Sequence, residues 1–238
     1  MADIRKKIIL NSELNYLFSL ILITLAVAML TSAGFGLSMV VAPAFVLAEF
    51  IPNLTFGQAG YILYGVQFIL MCFLLKGFRP SLLISFLTVV IYGVFLDLWQ
   101  LIPLFNITVT PPDSLELWVR IVFFVGGILL TTFSVALSFK TYIYPQVYDF
   151  FVKAVSDFYK IKLATFKYIV DFSFLAIAIA LSFIFFGKLV GVSWGTVVMA
   201  ITSGTLVSFF SNLLDKFSTQ RPFFNKLSKY LTDQLSPN

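Results

Sequence analysis

Apolar runs long enough to cross a bilayer recur along the whole chain: about Leu14–Phe35, Gly57–Leu75, Ser81–Ile102, Ser114–Phe139, Ala164–Phe186 and Trp194–Leu214. Each is close to the ~20 residues that a spanning helix needs, and inside a bilayer a helix pairs its own backbone groups. The expected fold is an all-α membrane protein with six transmembrane helices. Only 11% of the residues are charged, against ~25% in soluble domains. Residues 1–238 therefore read as a single integral membrane domain, with a cytoplasmic tail over 216–238.

The first apolar run is too long. It continues past Phe35 to Phe50, some 35 residues where ~20 suffice. Gly34, Gly36 and Pro43 sit where the surplus begins, so the chain is expected to bend there. Leu130 to Pro145 repeats the pattern: Leu30–Met39 aligns with Leu130–Phe139, and Pro145 follows as Pro43 does. Each proline precedes a short apolar segment with one acid, Glu49 or Asp149. Two halves follow, 14–103 and 114–215, with three spans each. Three is odd, so the second half enters the membrane from the other side. Two inverted three-helix repeats are the expectation, a plan that secondary transporters use for alternating access. Pro43 and Pro145 then belong to opposite faces.

Helix-end chemistry marks the boundaries. Thr55 and Gln58 have the spacing of a capping box, and Gly77 suits a left-handed cap after the second span. Pro80 fits the first turn of the third span. Asp113 and Glu116 precede the fourth, where a helix dipole favours acids. Gly187 closes the fifth span, and Ser193 caps the sixth. Between spans four and five, Val147, Phe150, Phe151, Ala154, Val155 and Phe158 recur at helical spacing, opposite Asp149, Lys153, Ser156, Asp157 and Lys160. That stretch is too polar to span and reads as an amphipathic interfacial helix.

Charge gives the orientation. With the N-terminus inside and six spans, fourteen of the sixteen lysines and arginines fall on the cytoplasmic side; Arg120 and Lys188 fall outside. This is a strong positive-inside pattern, with both termini cytoplasmic. The scatter of these residues among short loops argues against nucleic acid as a partner. The lipid bilayer is the expected partner, together with an unidentified small-molecule or ion substrate, and with a second copy or another membrane protein left open.

There is no histidine, and Cys72 is the single cysteine. Histidine-based triads and zinc sites are excluded, and no enzyme, cofactor or metal site is expected. Ionisable groups within spans are functional candidates by default. Asp97 and Arg120 both lie near the outer ends of their spans, where they are able to pair. Asp171 lies in the fifth span with Lys167 four residues before it. Tyr64, Gln67, Tyr92, Ser138 and Tyr142 are the uncharged candidates for binding or coupling. Gly34, Gly36, Pro43, Gly93, Pro145, Gly195 and Gly204 are the candidates for helix breaks or close helix packing.

Gly34-x-Gly36 before Pro43, Tyr61-x-x-Tyr64-Gly65, the segment Tyr92 to Leu98 with Gly93 and Asp97, and Gly191-x-x-x-Gly195-Thr196 with Gly204 together resemble the YczE/YyaS/YitT family, nearest its YczE-like branch. The resemblance covers about residues 15–215. It implies a multi-pass protein of the bacterial plasma membrane and brings no substrate or cofactor. The functional expectation is a small secondary transporter with alternating access between two halves. The alternative is a non-transporting accessory or substrate-binding subunit of a larger transport or assembly complex.

Overall fold

The computed structural model describes residues 8–77 and 83–235; Pro80 and the first two residues of the third span lie outside them. Among the described residues six helices are long and apolar enough to span: α1 (Ser12–Ala33), α3 (Phe56–Leu74), α4 (Leu83–Gln100), α5 (Leu117–Ser138), α7 (Leu163–Phe186) and α8 (Trp194–Phe217). The chain is an all-α membrane protein. Short helices α2 (Ala42–Phe50) and α6 (Val147–Tyr159) stand between α1 and α3 and between α5 and α7; α9 (Asn225–Leu235) ends the described chain.

Strand β1 (Ile8–Asn11) pairs in parallel with β2 (Ser218–Arg221), Ile8 facing Ser218 and Asn11 facing Arg221. This ribbon fixes the start of α1 and the end of α8 on one face, here called the terminal face. Other ends gather there too. Lys140 bridges to Asp215 at 2.7 Å, the Tyr142 hydroxyl donates to Glu13 at 2.6 Å, and the Tyr159 hydroxyl donates to the Leu74 carbonyl at 2.9 Å. On the far face the Gly195 N–H donates to the Phe35 carbonyl at 2.9 Å.

Helix α1 is the centre, packed by α4 and α5. Of its most apolar window 61% is buried, against 6% for α8, which stands at the edge of the bundle against α5. The core has two parts. One, around Val27, Leu30, Ala33, Phe56, Leu96 and Phe124, lies toward the far face. The other, around Tyr64, Met71, Val89, Phe151, Val155 and Phe174, lies toward the terminal face. The amphipathic helix expected between the fourth and fifth spans is α6. Its apolar stripe covers protein: Val147, Phe150, Phe151 and Val155 are buried in the second core, against α3, α4 and α7.

The Thr55–Gln58 capping box is formed at the start of α3, and Gly187 ends α7 in the left-handed region at φ 65°. The α3 end differs from expectation. Lys76, not Gly77, takes the left-handed conformation at φ 53°, while the Gly77 N–H closes on the Cys72 carbonyl at 3.2 Å. Helix α6 ends in the same way at Lys160, φ 58°, with the Ile161 N–H on Ser156 at 3.0 Å. This conformation strains a side chain with a Cβ. Lys160→Gly is expected to stabilise the protein by about 0.5–1 kcal/mol. A thermal melt in detergent checks it, and a lowered melting temperature would contradict the assignment.

Candidate functional site

The surplus of the first apolar run forms a re-entrant segment. Gly34 ends α1 at φ 69° and Gly36 continues at φ 105°, so the chain turns back without helical pairing. Non-helical backbone at membrane depth is tolerated only inside protein or beside a wet cavity. Here it is inside: Leu37 is 2% exposed and Ala42 is fully buried. The Leu37 N–H donates to Gly191 at 2.8 Å, and the Val41 and Ala42 N–H groups to Ser38 at 3.1 and 3.0 Å. Pro43 then occupies the first turn of α2, where its missing N–H costs nothing. Helix α2 runs back to the far face, where Phe50 stacks on Phe185 at 3.8 Å.

The second elbow works from the terminal face. After α5, the Tyr142 N–H reaches Ser12 Oγ at 3.4 Å, and the Tyr144 carbonyl accepts from the Tyr16 hydroxyl at 3.2 Å. Helix α6 begins just past Pro145. Its first turn lies among Tyr64 and Phe174, close to the midpoints of α3 and α7, and its last residue is tied to Leu74. Thus α2 and α6 both start at mid-depth and leave toward opposite faces.

Val40 and Val41, just before α2, and Pro145 and Gln146, just before α6, line one cavity of about 650 Å³. It extends from mid-depth to Tyr142, Lys153 and Leu163 near the terminal face. Three hydroxyls in its wall are unusual. Thr132 and Ser138 bond back to their own helix, at 2.8 and 2.9 Å, as hydroxyls in spans commonly do. Tyr64 and Tyr92, only 2% and 4% exposed, have no hydrogen-bond partner among the described residues, and neither has Thr131 Oγ1. Buried polar groups are normally paired, so these three face the cavity with unmet capacity.

The charged wall is built by α6 and α7. Lys167 bridges to Asp171 at 3.2 Å, donates to the Tyr148 hydroxyl at 2.6 Å and lies 4.8 Å over that ring. Tyr148 in turn donates to Asp171. Burial and then the Asp171 carboxylate push the Tyr148 phenol above its usual range. Lys167, Tyr148 and Asp171 thus satisfy one another. Asp149, half-buried in the cavity wall, makes no ion pair among the described residues. Burial pushes its carboxyl up to about 6; Lys167 opposes that shift and Asp171 adds to it.

Of the residues expected from the sequence, Tyr64, Tyr92, Ser138 and Tyr142 line this cavity, together with Pro145 and Gly204. Gln67 stands one turn from Tyr64, 4% exposed, with neither amide atom paired among the described residues. Asp171 stands behind the wall and holds Lys167. Asp97 and Arg120 lie away from the cavity and do not pair with each other. Asp97 accepts the Gly57 N–H at 2.8 Å and the Thr55 hydroxyl at 2.7 Å, at the N-terminus of α3. Arg120 donates to the Ala33 carbonyl at 2.9 Å, bridges to Asp113 at 3.1 Å and covers Phe35 at 4.7 Å, at the C-terminus of α1. Each charge meets the helix end whose dipole it complements. Among the glycines, Gly34, Gly36, Gly93 and Gly195 are all sites where a Cβ would come within 2.8 Å of another atom.

Asp149, Lys153 and Lys167 did not stand out as site residues in the sequence. Asp149 and Lys153 are four apart on the polar stripe of α6, which reads as a solvated face. The signal lay in the elbow. A polar stripe that follows a helix break at membrane depth faces a cavity rather than bulk water.

Residues 10–212 match a family described as a family of unknown function, DUF6198. The chain belongs to DUF6198. No curated protein and no solved structure matches it. The DUF6198 match takes in both elbows and every residue that lines the central cavity, and leaves β2 and α9 outside.

Proposed function

We propose that the protein is a small secondary transporter that moves a polar solute through the central cavity by alternating access between two inverted halves. The observation that carries this reading is the pair of half-helices, α2 and α6, which start at one cavity and run to opposite faces. Each half has the same order of span, half-helix, span, span. Broken helices that meet at the midplane are how such transporters build a site. A second cavity of about 770 Å³ lies on the far side, lined by Gly34, Pro112 and Trp194 among others. Leu30 and Leu37 border both cavities, and both are 2% exposed. This septum is thin enough for a small displacement to open one side and close the other. The positive-inside count supports a cytoplasmic terminal face, in a bacterial plasma membrane by the resemblance described above.

Gly204 provides a test. It lines the cavity, and a Cβ there would meet nothing within 4 Å. Gly204→Phe is expected to fold as well as the parent, since glycine is a poor helix residue, and to fill the path. Counterflow of a panel of labelled amines, carboxylates and sugars in liposomes is expected to show flux in the parent. The variant is expected to lose about tenfold or more, equivalent to ~1.4 kcal/mol in the barrier. No flux of any kind in the parent would overturn transport, and flux appearing only with a co-purified membrane protein would favour the accessory-subunit alternative.

A further inference from the structure

We propose that the central cavity takes a small organic cation, its nitrogen held by the Asp149 carboxylate and its body by the rings and hydroxyls of Tyr64 and Tyr92. This names the solute class for the cavity read above as a transport path, and it rests on that reading for its biological use.

The charge balance of the wall leads to it. Lys167 is neutralised by Asp171 at 3.2 Å. Lys153 is exposed at the cavity mouth, and its long stem lets the ammonium reach water. Asp149 remains, a carboxylate without a bridge or hydrogen bond among the described residues. Half-buried, it faces the cavity without a protein counter-ion, and a cationic ligand supplies one. The two phenols point the same way. Tyr64 and Tyr92 are more than nine-tenths buried, face the cavity and have hydroxyls without a partner among the described residues, able to accept an ammonium N–H. Their rings, with Tyr142 and Tyr144 in the same wall, are the surfaces over which organic cations bind.

An anion fits poorly. The N-terminus of α6 already has Asp149 in its first turn, so its dipole is answered. At the start of α2 the Ala42 N–H is spent on Ser38, and Pro43 has no N–H to give. A bare metal ion fits no better. Among the described residues no group of three acidic, cysteine or histidine side chains is assembled to hold one, and hard cations need six or more oxygens. A space of about 650 Å³ matches an organic ligand.

Protons compete with such a cation. The groups that act on Asp149 or feel it are Tyr148 on α6, Lys167 and Asp171 on α7 and Tyr64 on α3; Lys153 on α6 and Tyr92 on α4 line the same cavity. The Asp149 carboxyl is pushed up to about 6. Cation binding is therefore expected to be full above that pH and to weaken as pH falls through it.

The experiment is a melting-temperature shift of the full chain in detergent, with tetraethylammonium and benzylamine as cations and benzoate as the anion, at matched ionic strength. At saturating ligand, near a hundred times Kd, an amine is expected to raise the melting temperature by several degrees at a pH of about 8, and by much less at about 5. Asp149→Asn is expected to melt close to the parent, because the favourable helix-dipole contact it loses is small and set against the burial of its charge, and to lose the amine shift. Asp149→Glu is expected to retain part of it. No amine shift in a well-folded parent, a shift kept in full by Asp149→Asn, or a larger shift with benzoate would each overturn the proposal. Amine binding without flux would sink the transport reading and leave this one standing. Carboxylate flux without amine binding would do the reverse.

Discussion

Gly195→Leu is expected to leave no folded protein. Gly195 is the second residue of α8, and its N–H donates to the Phe35 carbonyl at 2.9 Å. A Cβ on Gly195 would come within 2.4 Å of that same oxygen and within 2.7 Å of the Phe124 ring. Neither neighbour has room to yield. The Phe35 carbonyl is backbone and part of the elbow. The Phe124 ring packs edge-on against Phe35 at 5.6 Å and against Trp194 at 5.2 Å. Even Gly195→Ala is expected to cost about 3 kcal/mol, from overpacking plus a lost backbone hydrogen bond. The expected readings are no monodisperse peak on size exclusion for the leucine variant and a melting temperature lowered by many degrees for the alanine variant. Gly204→Ala, in open space, is the control and is expected to hold or slightly gain stability. A Gly195→Ala protein that melts like the parent would show that the elbow is not locked to α8 as described.

Asp97→Ala is expected to give the next largest loss of stability, about 2–4 kcal/mol. The carboxylate answers two donors at the start of α3, the Gly57 N–H and the Thr55 hydroxyl, and both bonds are charge-assisted. It also lies where the α3 dipole favours a negative group. The two helices touch closely at this point. A Cβ on Gly57 would fall 2.3 Å from the Gly93 carbonyl, and one on Gly93 would fall 2.3 Å from the Tyr61 ring. Loss of Asp97 thus removes a tie at a helix crossing with no slack. Asp97→Asn keeps one acceptor and is expected to fall between parent and alanine. Asp97 and Asp149 are expected to separate cleanly. Asp97 variants lower the melting temperature and leave the amine-induced shift in place, whereas Asp149→Asn does the opposite. An Asp97→Ala protein that melts normally but no longer responds to amines would move the binding site to the far face.

Asp97 and Arg120 also show where sequence reasoning stops. Both lie toward the far face, and opposite charges at one depth invite a pairing. The pairing does not form because each has a nearer helix terminus to satisfy. The start of α3 and the end of α1 present unpaired backbone groups of the right sign, and these come from segments remote in sequence from either acid or base. In the same way, the polar stripe of α6 was legible as a stripe, while the cavity it faces is assembled from all six spans.

The sequence by itself determined the number of spans, their alternation, the glycine and proline positions where the first and fourth runs break, and the helix caps at Thr55 and Gly187. These are local properties: apolar length is set by bilayer thickness, and a cap is decided by a few adjacent residues. Only the tertiary structure decided that α2 and α6 begin at one cavity, that Tyr64 and Tyr92 bring to it hydroxyls with no partner among the described residues, and that Asp149 stands in its wall while Asp171 is spent on Lys167. The reason is physical. A buried charge takes whichever partner the packing of distant helices brings within a few ångströms, and no pattern along the chain encodes that choice.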